Sequence, residues 1–382
     1  MNEPQALANV ADLLPAISAQ ADQRERARDV PESLIAELIK AGCYRMAVPA
    51  SHGGAELALP DLLTVLVTLA SADASVGWLV GQAAVAQLVF SRFPQETFDD
   101  IYRAGPDVIG AGAVAPKGKA LRVDGGWRFS GEWPFVSGCS HASWFYGQCL
   151  TAGQADEPAD PEIPPMRVML MPMAQAAVQD TWHTLGLRAT GSHHVRVAGG
   201  RCQDRWSCSM HSSVPVPALP IYAVPAIEYG GLVVAAIAVG IAEGAVSDML
   251  QIAASKRPSF SITPLRASKV FQDRLGEAYL DLLTARLLLA AQAASAWSAA
   301  TQGSQDGCAH RAVLRATAAH VTGIAARTVD AAYGLAGGSS LYDSSPLQRR
   351  MRDIHTLTQH AVTGRASYEF MGSVLVGEHD DH

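Results

Sequence analysis

Apolar residues fall on helical faces at both ends of this chain and alternate in short runs through its middle. Behind Asp29-Val30-Pro31-Glu32, which sets a proline and an acid at a helix start, Leu34, Ile35, Leu38 and Ile39 repeat on one face until Gly42. Pro60-Asp61 opens a second helix with Leu62, Leu63, Val65, Leu66 and Leu69 inside it; a third is predicted from about Ser75 to Phe90 and a fourth after Pro94. From about Val108 to Cys208, β-branched residues and turn glycines take over. Ala120 to Ser130 predicts a hairpin turning at Asp124-Gly125-Gly126, and Trp144 to Leu150 and Met166 to Met171 predict further strands. Between those strands, Gly153 to Pro165 is acidic and proline-rich and reads as a surface loop. After about Ile227 the pattern is helical again. Four long helices are expected near 226–255, 265–301, 308–335 and 345–374, with Gly337-Gly338 breaking between the last two.

Segregated runs of helices, strands and helices define an α+β fold. The expected domains are an N-terminal helical domain at 1–106, a middle β domain at 107–215 and a C-terminal helical bundle at 216–382. With 382 residues and 49% hydrophobic content the chain can bury large cores. A net charge of −7 gives no electrostatic reason to expect nucleic acid, and no basic run suggests a membrane surface. The longest apolar run, Leu232 to Ala242, is ended by Glu243 and reads as a buried helix. The N-terminus shows no signal-peptide pattern, and six cysteines without a CxxC pair read as reduced thiols. The expectation is a cytoplasmic protein without a metal site. No GxGxxG follows a strand and no phosphate-binding GxxxxGK[ST] occurs, so the chain lacks the usual place to hold a nicotinamide.

Three stretches carry more: FSGEWPFVSGCSHASW at 129–144, TWHTLGLRATGS at 181–192 and PLQRRMRDIHTLTQH at 346–360. Together they resemble the acyl-CoA dehydrogenase superfamily. Within it, they are similar to the oxygenase components of two-component flavin-dependent monooxygenases, of the 4-hydroxyphenylacetate 3-hydroxylase type. The resemblance covers nearly the whole chain. It implies a helical N-terminal domain, a β-barrel-like middle domain and a C-terminal four-helix bundle. It further implies hydroxylation of a small aromatic substrate, phenolic or indolic, through a flavin C4a-hydroperoxide. Reduced FMN or FAD, not covalently bound, would come from a separate NAD(P)H-dependent flavin reductase, with O₂ as co-substrate. The family also implies a homotetramer.

The resemblance assigns site residues as well. His141 and His360 match histidines near the substrate, and an imidazole titrating near neutrality can take a phenolic proton. Trp133 and Phe135 match the strand against the flavin ring, Trp133 packing on it, and Ser137 would hydrogen-bond to it. Thr190-Gly191-Ser192 matches a second flavin-facing segment. Arg257, in Arg257-Pro-Ser-Phe260, echoes an arginine that reaches a flavin phosphate across a subunit interface, and Arg274 is a second candidate.

One departure separates the two activities of the superfamily. Many of its dehydrogenases carry a catalytic glutamate eight residues after the aspartate of an Arg-Asp pair. Here that pair is Arg352-Asp353 and the eighth position is Ala361, next to His360, with no acid between Asp353 and Glu369. A dehydrogenase or oxidase would need a relocated base, such as Glu243 or Glu277. The same fold also admits oxygenation of sulfur or nitrogen, or a scaffold without activity.

Plainer readings stand beside each assignment. His141 can cap the turn after Gly138, and His360 can be a packed helical histidine. Trp133 and Phe135, two apart on a strand, would share a core face. His355 suits an interhelical polar contact. His193 and His194 face opposite ways and make no joint ligand pair. Arg349, Arg350 and Arg352 suit a solvated face or subunit salt bridges, with Asp353 paired to an arginine.

Overall fold

A computed structural model describes residues 3–152, 165–259, 261–304 and 307–378. The predicted 153–165 loop lies outside them except at Pro165. The helices α1 (Glu3–Ala11), α2 (Leu14–Ala19), α3 (Ala21–Ala27), α4 (Glu32–Lys40), α5 (Leu59–Ala72), α6 (Ala74–Phe90) and α7 (Gln95–Ile101) come first. The strands β1 (Gly110–Val123), β2 (Gly126–Val136), β3 (Trp144–Ala152), β4 (Met166–Pro172), β5 (Ala177–Gln179), β6 (His193–Gln203) and β7 (Ser207–Cys208) follow. The chain then returns to helices: α8 (Pro220–Ala223), α9 (Ala226–Ser255), α10 (Lys269–Gln302), α11 (Cys308–Ala336), α12 (Pro346–Leu357) and α13 (Ala366–Leu375).

The helices of both ends share one apolar core. At its centre lies α9, on which every residue from Gly231 to Ala242 is buried. By length and composition α9 could cross a membrane, but most of its apolar window is covered by other helices. Gly240 lets it approach α5: a Cβ there would stand 2.4 Å from the Val67 carbonyl oxygen.

The middle domain is one mixed sheet ordered β5-β6-β2-β1-β3-β4-β7. In a flat sheet β6 and β4, four ladder steps apart, would lie roughly 19 Å from each other. Here Cys202 Sγ on β6 comes within 3.7 Å of Met169 Sδ on β4. The sheet therefore curls around Phe129, Trp133, Phe145, Met169, Met171 and Val195, which form its core. It is barrel-like in curvature, while its ladder stays open between β5 and β7.

The last expected helix is the one that fails. It is interrupted between Leu357 and Ala366 by a short 3-10 turn at Ala361–Thr363. Thr356, Thr358, Val362 and Thr363 are poor helix formers, and Gly364 is worse. The Thr358 hydroxyl donates to the His355 carbonyl at 2.8 Å and the Thr363 hydroxyl to that of His360 at 2.8 Å. His360 therefore does not ride on a helix. It precedes the short turn in an extended conformation (φ −70°, ψ 137°).

The arginines of α12 are not a solvated cluster either. Arg349 and Arg350 are buried, and their ion pairs are intrachain: Arg349 with Asp22, Arg350 with Asp248 at 2.5 Å, and Arg352 with Glu25. A further pair joins α3 to α6. Arg24 donates to Asp73 at 2.6 and 3.0 Å, while the other Asp73 oxygen caps α6 by accepting from the Ser75 N–H at 2.8 Å. Both side chains are buried. Arg24→Ala would leave Asp73 charged and unpaired, so it should cost about 3–5 kcal/mol of unfolding free energy. A urea denaturation difference below about 1 kcal/mol would show that the pair is not holding α3 in place.

Candidate active site

The strand expected to face a flavin is bulged. Pairing of β2 with β6 shifts register between Trp133 and Val136. Phe135 takes up the extra residue in a left-handed conformation (φ 63°). The bulge separates two side chains expected to share one face. Trp133 points into the sheet core, fully buried, with its Nε1–H donating to the Gln148 carbonyl at 2.9 Å. Gly118, Gly131 and Gly147 crowd around its ring, where a Cβ would come within 3 Å. Trp133 therefore has no surface to give a cofactor, which corrects its assignment. Phe135 is 68% exposed instead, and its ring stands edge-on to Trp182 at 6.1 Å.

Beside Phe135 runs a chain of short hydrogen bonds. The Trp78 Nε1–H on α6 donates to Ser137 Oγ at 2.8 Å. Ser137 Oγ lies 2.7 Å from Ser192 Oγ, which lies 2.7 Å from Thr190 Oγ1, and Thr190 donates to the Leu187 carbonyl at 2.7 Å. The three hydroxyls assigned by resemblance are thus brought together, but they are not equally available. Thr190 is 1% exposed and Ser192 3%, so Ser137 alone among them is more than marginally accessible. Thr190 is corrected from a flavin contact to a buried support, and Ser192 to a link between it and Ser137.

Trp78 escaped the sequence reading because its helix is apolar on nearly every side. The available signal was an indole N–H inside such a helix, which needs an acceptor when buried. The Trp78 ring also packs against His360, centroid to centroid 5.5 Å and tilted by 66°. His360 keeps an exposed edge but is hemmed in by protein, and this desolvation lowers its pKa below the ordinary 6.5. Its Nδ1 accepts the Val362 N–H at 3.4 Å, so the neutral ring carries its hydrogen on Nε2. At that length the bond is weak, and a change of tautomer costs little.

The 185–192 turn that carries Thr190 and Ser192 is held from α12. Asp353 accepts the Leu187 N–H at 2.6 Å, in place of the arginine partner expected for it. Arg352 donates to the Leu185 carbonyl at 2.9 Å. Gly186 lies against the α12 backbone, where a Cβ would stand 2.2 Å from the Arg352 oxygen. Leu187 is itself left-handed (φ 50°). The Arg-Asp pair of the sequence motif is thus a clamp on the turn that carries Thr190 and Ser192.

His141 belongs to a neighbouring wall. Its Nε2 lies 3.0 Å from Asp29 Oδ1 and its side chain is 9% exposed. Burial pushes Asp29 up, but the hydrogen bond and charge of His141, with the Val30 N–H and Ser140, bring its pKa below the usual range. A cleft of about 310 Å³ opens there, lined by Gln20, Gln23, Arg24, Glu32 and this pair. His141 therefore tethers the 137–141 turn to the α3–α4 segment, which corrects its grouping with His360.

The remaining candidates lie elsewhere. Arg257, just past α9, and Arg274, on α10, are exposed, and neither is bonded to a cleft residue among those described; Phe260 lies outside them. The single chain does not bring these arginines to Ser137. Glu243 is half-buried beside Arg286 at 3.1 Å, with its pKa raised by desolvation against the pull of that arginine, and Glu277 is exposed on α10. His355 makes the expected interhelical contact, 2.8 Å from Asp330 on α11. His193 Nδ1 accepts the Thr181 and Trp182 N–H groups at 3.2 Å, and His194 turns to Glu132 at 3.3 Å.

Comparison with known proteins agrees with this architecture. Residues 7–98 match the acyl-CoA dehydrogenase N-terminal domain and residues 232–365 its C-terminal domain. The chain belongs to the acyl-CoA dehydrogenase family. It is 29% identical to the indole-3-acetate monooxygenase of Pseudomonas putida, over 93% of this chain and 88% of that one. Over 49% of its length, and 44% of the relative's, it is 36% identical to the oxygenase component of the FADH₂-dependent resorcinol hydroxylase of a Rhizobium species. The crystal structure of the 3-HSA hydroxylase from Rhodococcus sp. RHA1 superposes with a TM-score of 0.90 at 25% identity, covering 98% of this chain and 97% of that one.

The clamp has a pH signature. Burial, with Asp73 and Glu25 nearby, pushes the Asp353 carboxyl up to about 7 against the pull of the Leu187 N–H and Arg349. Between the ordinary 3.8 and about 7, the unfolded chain has lost this proton while the folded one keeps it, so the group's contribution to stability falls as pH rises. Asp353→Asn retains an oxygen for Leu187 but does not titrate. The wild-type urea midpoint should therefore drop more between about pH 5 and about pH 7 than that of the variant. Parallel profiles would remove the carboxyl from this role.

Proposed function

We propose that this chain is the oxygenase component of a two-component flavin-dependent monooxygenase that hydroxylates a small aromatic substrate of phenol or indole type. One observation carries the reading. The family's fold here places an imidazole, His360, against Trp78 and its bonded Ser137, and no carboxylate is hydrogen-bonded or ion-paired to any of the three among the described residues. The base position of many dehydrogenase relatives is Ala361, and Glu243 is turned to Arg286. The names of the relatives, monooxygenase and hydroxylase, support the same reaction.

The residues fit a flavin. Exposed Phe135 and the neighbouring Trp182 offer flat apolar surface, and Ser137 sets a hydroxyl oxygen beside it, a combination suited to a planar heterocycle with a polar rim. Phe135, Trp182 and Ser137 would hold the ring, as reduced FMN or FAD bound without a covalent link. When bound, reduced flavin supplies the electrons that activate O₂. The reductase that delivers it is a separate NAD(P)H-dependent protein, consistent with the missing nicotinamide motif and with a cytoplasmic setting.

The chain's own contribution is positional and protonic. Trp78 fixes both Ser137 and His360. With its pKa lowered, His360 is neutral at pH 7, so its Nε2–H can hold the substrate's hydroxyl or indole-ring environment in place. In the other tautomer it takes a phenolic proton, at the cost of the long Val362 bond. The protonated ring then returns that proton to a departing oxygen.

Copies of the chain associate, on this reading, as a homotetramer. Tyr279, Leu280, Leu283 and Leu287 are exposed along one stripe of α10, a helical seam that suits a second copy. In that assembly Arg257 or Arg274 reaches the flavin phosphate of a neighbour.

His360→Ala, supplied with a generic reductase, NADH and phenols or indoles, should still consume O₂ but release it as H₂O₂, with product formation down roughly 100-fold. Wild-type product yield should fall as the medium is acidified through a pKa below 6.5, because the protonated ring can no longer accept. Unchanged turnover in the variant would remove His360 from the chemistry. Leu283→Glu with Leu287→Glu should shift the light-scattering mass to a smaller species; an intact tetramer would place the interface elsewhere.

A further inference from the structure

The hydroxyl chain has a direction, and the direction is fixed by its two ends. An indole N–H only donates and a carbonyl oxygen only accepts. Oxygens 2.7 Å apart need a hydrogen between them. Thr190 touches both the Leu187 carbonyl and Ser192 at 2.7 Å but has one hydrogen, and the carbonyl has none to give. Thr190 must therefore donate to Leu187, Ser192 to Thr190 and Ser137 to Ser192, while Ser137 accepts from Trp78 at 2.8 Å. Every hydroxyl hydrogen is directed inward. Ser137, the partly exposed member, can offer an incoming ligand a lone pair and no hydrogen.

We propose that Thr190 is a positioning residue that sets the redox preference of the site, by making Ser137 an obligate acceptor. This rests on the flavin reading above. Reduction adds a hydrogen to an isoalloxazine ring nitrogen that in oxidised flavin carries only a lone pair. An acceptor hydroxyl pairs with the reduced form and meets the oxidised form lone pair to lone pair. Thr190 does this without touching the ligand, since it is buried and acts through Ser192. Trp78 plays the complementary part. It anchors the Ser137 oxygen and leaves the direction of the chain unchanged.

Thr190→Val removes the end of the chain at nearly constant volume. The freed Ser192 hydrogen then fills the contact with Ser137, and Ser137 can turn its own hydrogen to the cleft. Oxidised and dithionite-reduced FMN and FAD are titrated anaerobically into the full-length wild type, Thr190→Val, Thr190→Ser and Trp78→Phe, followed by flavin absorbance and fluorescence. The wild type should bind the reduced form more tightly. Thr190→Val should shrink that preference roughly tenfold, the yield of one hydrogen bond made or lost. For a two-electron couple this is a fall of about 30 mV in bound-flavin potential. Thr190→Ser, which keeps the hydroxyl, should restore the preference, and Trp78→Phe should weaken both redox states alike. A wild type without redox preference, or a Thr190→Val that changes both affinities in parallel, overturns this proposal while leaving the oxygenase reading standing. Failure of the wild type to bind either form overturns both.

Discussion

A buried carboxyl group on one backbone N–H holds the site together. Asp353 reaches from α12 to Leu187, and with Gly186 pressed against the α12 backbone it fixes the turn that carries Thr190 and Ser192. The same helix is held to α3 and α9 by Arg349, Arg350 and Arg352. Because α3 is also tied to α6 through Arg24 and Asp73, ion pairs link the N-terminal and C-terminal helices, and the hydrogen bonds of Asp353 and Arg352 to the 185–187 backbone join the middle part to them. Such groups are costly to bury singly and are retained here as interlocking pairs. The site is placed by elements distant from it in sequence, and none of its walls is self-supporting.

Local signals account well for the outer architecture. The starts at Pro31 and Pro60, the hairpin at Asp124-Gly125-Gly126 and the limits of α9 follow from caps, turn residues and periodicity that act within a few positions. Two failures had tertiary or competing causes. The β2 bulge turns Phe135 out and leaves Trp133 in, and strict alternation cannot anticipate it because the extra residue is absorbed by pairing with β6. The break before α13 lay in plain view as a threonine-rich run ending at Gly364, but the apolar spacing on either side masked it.

The candidate site was legible by resemblance more than by pattern. Of the residues that the resemblance singled out, His360 and Ser137 are brought close to one another through Trp78. Trp133 and Thr190 match the same motifs yet serve the scaffold, since a motif marks a stretch and not the direction of each side chain. The basic cluster of α12 shows the opposite error: residues that composition assigns to solvent are internal once acids from α3 and α9 reach them.

Phe135 stands two residues before Ser137 and the Leu187 carbonyl accepts from Thr190, and both are bulky residues in left-handed backbone, at φ 63° and 50°. That geometry costs an ordinary L-residue roughly 1–2 kcal/mol. Glycine would relieve both, and would also erase the ring face at one position and a packed side chain at the other. Among the described residues Arg28 and Glu56 share this backbone, so two of four such positions flank the hydroxyl chain. Selection for greater heat resistance could relax Arg28 or Glu56 at small cost, whereas the same relief at Phe135 or Leu187 would strip side chains from beside Ser137 and Thr190.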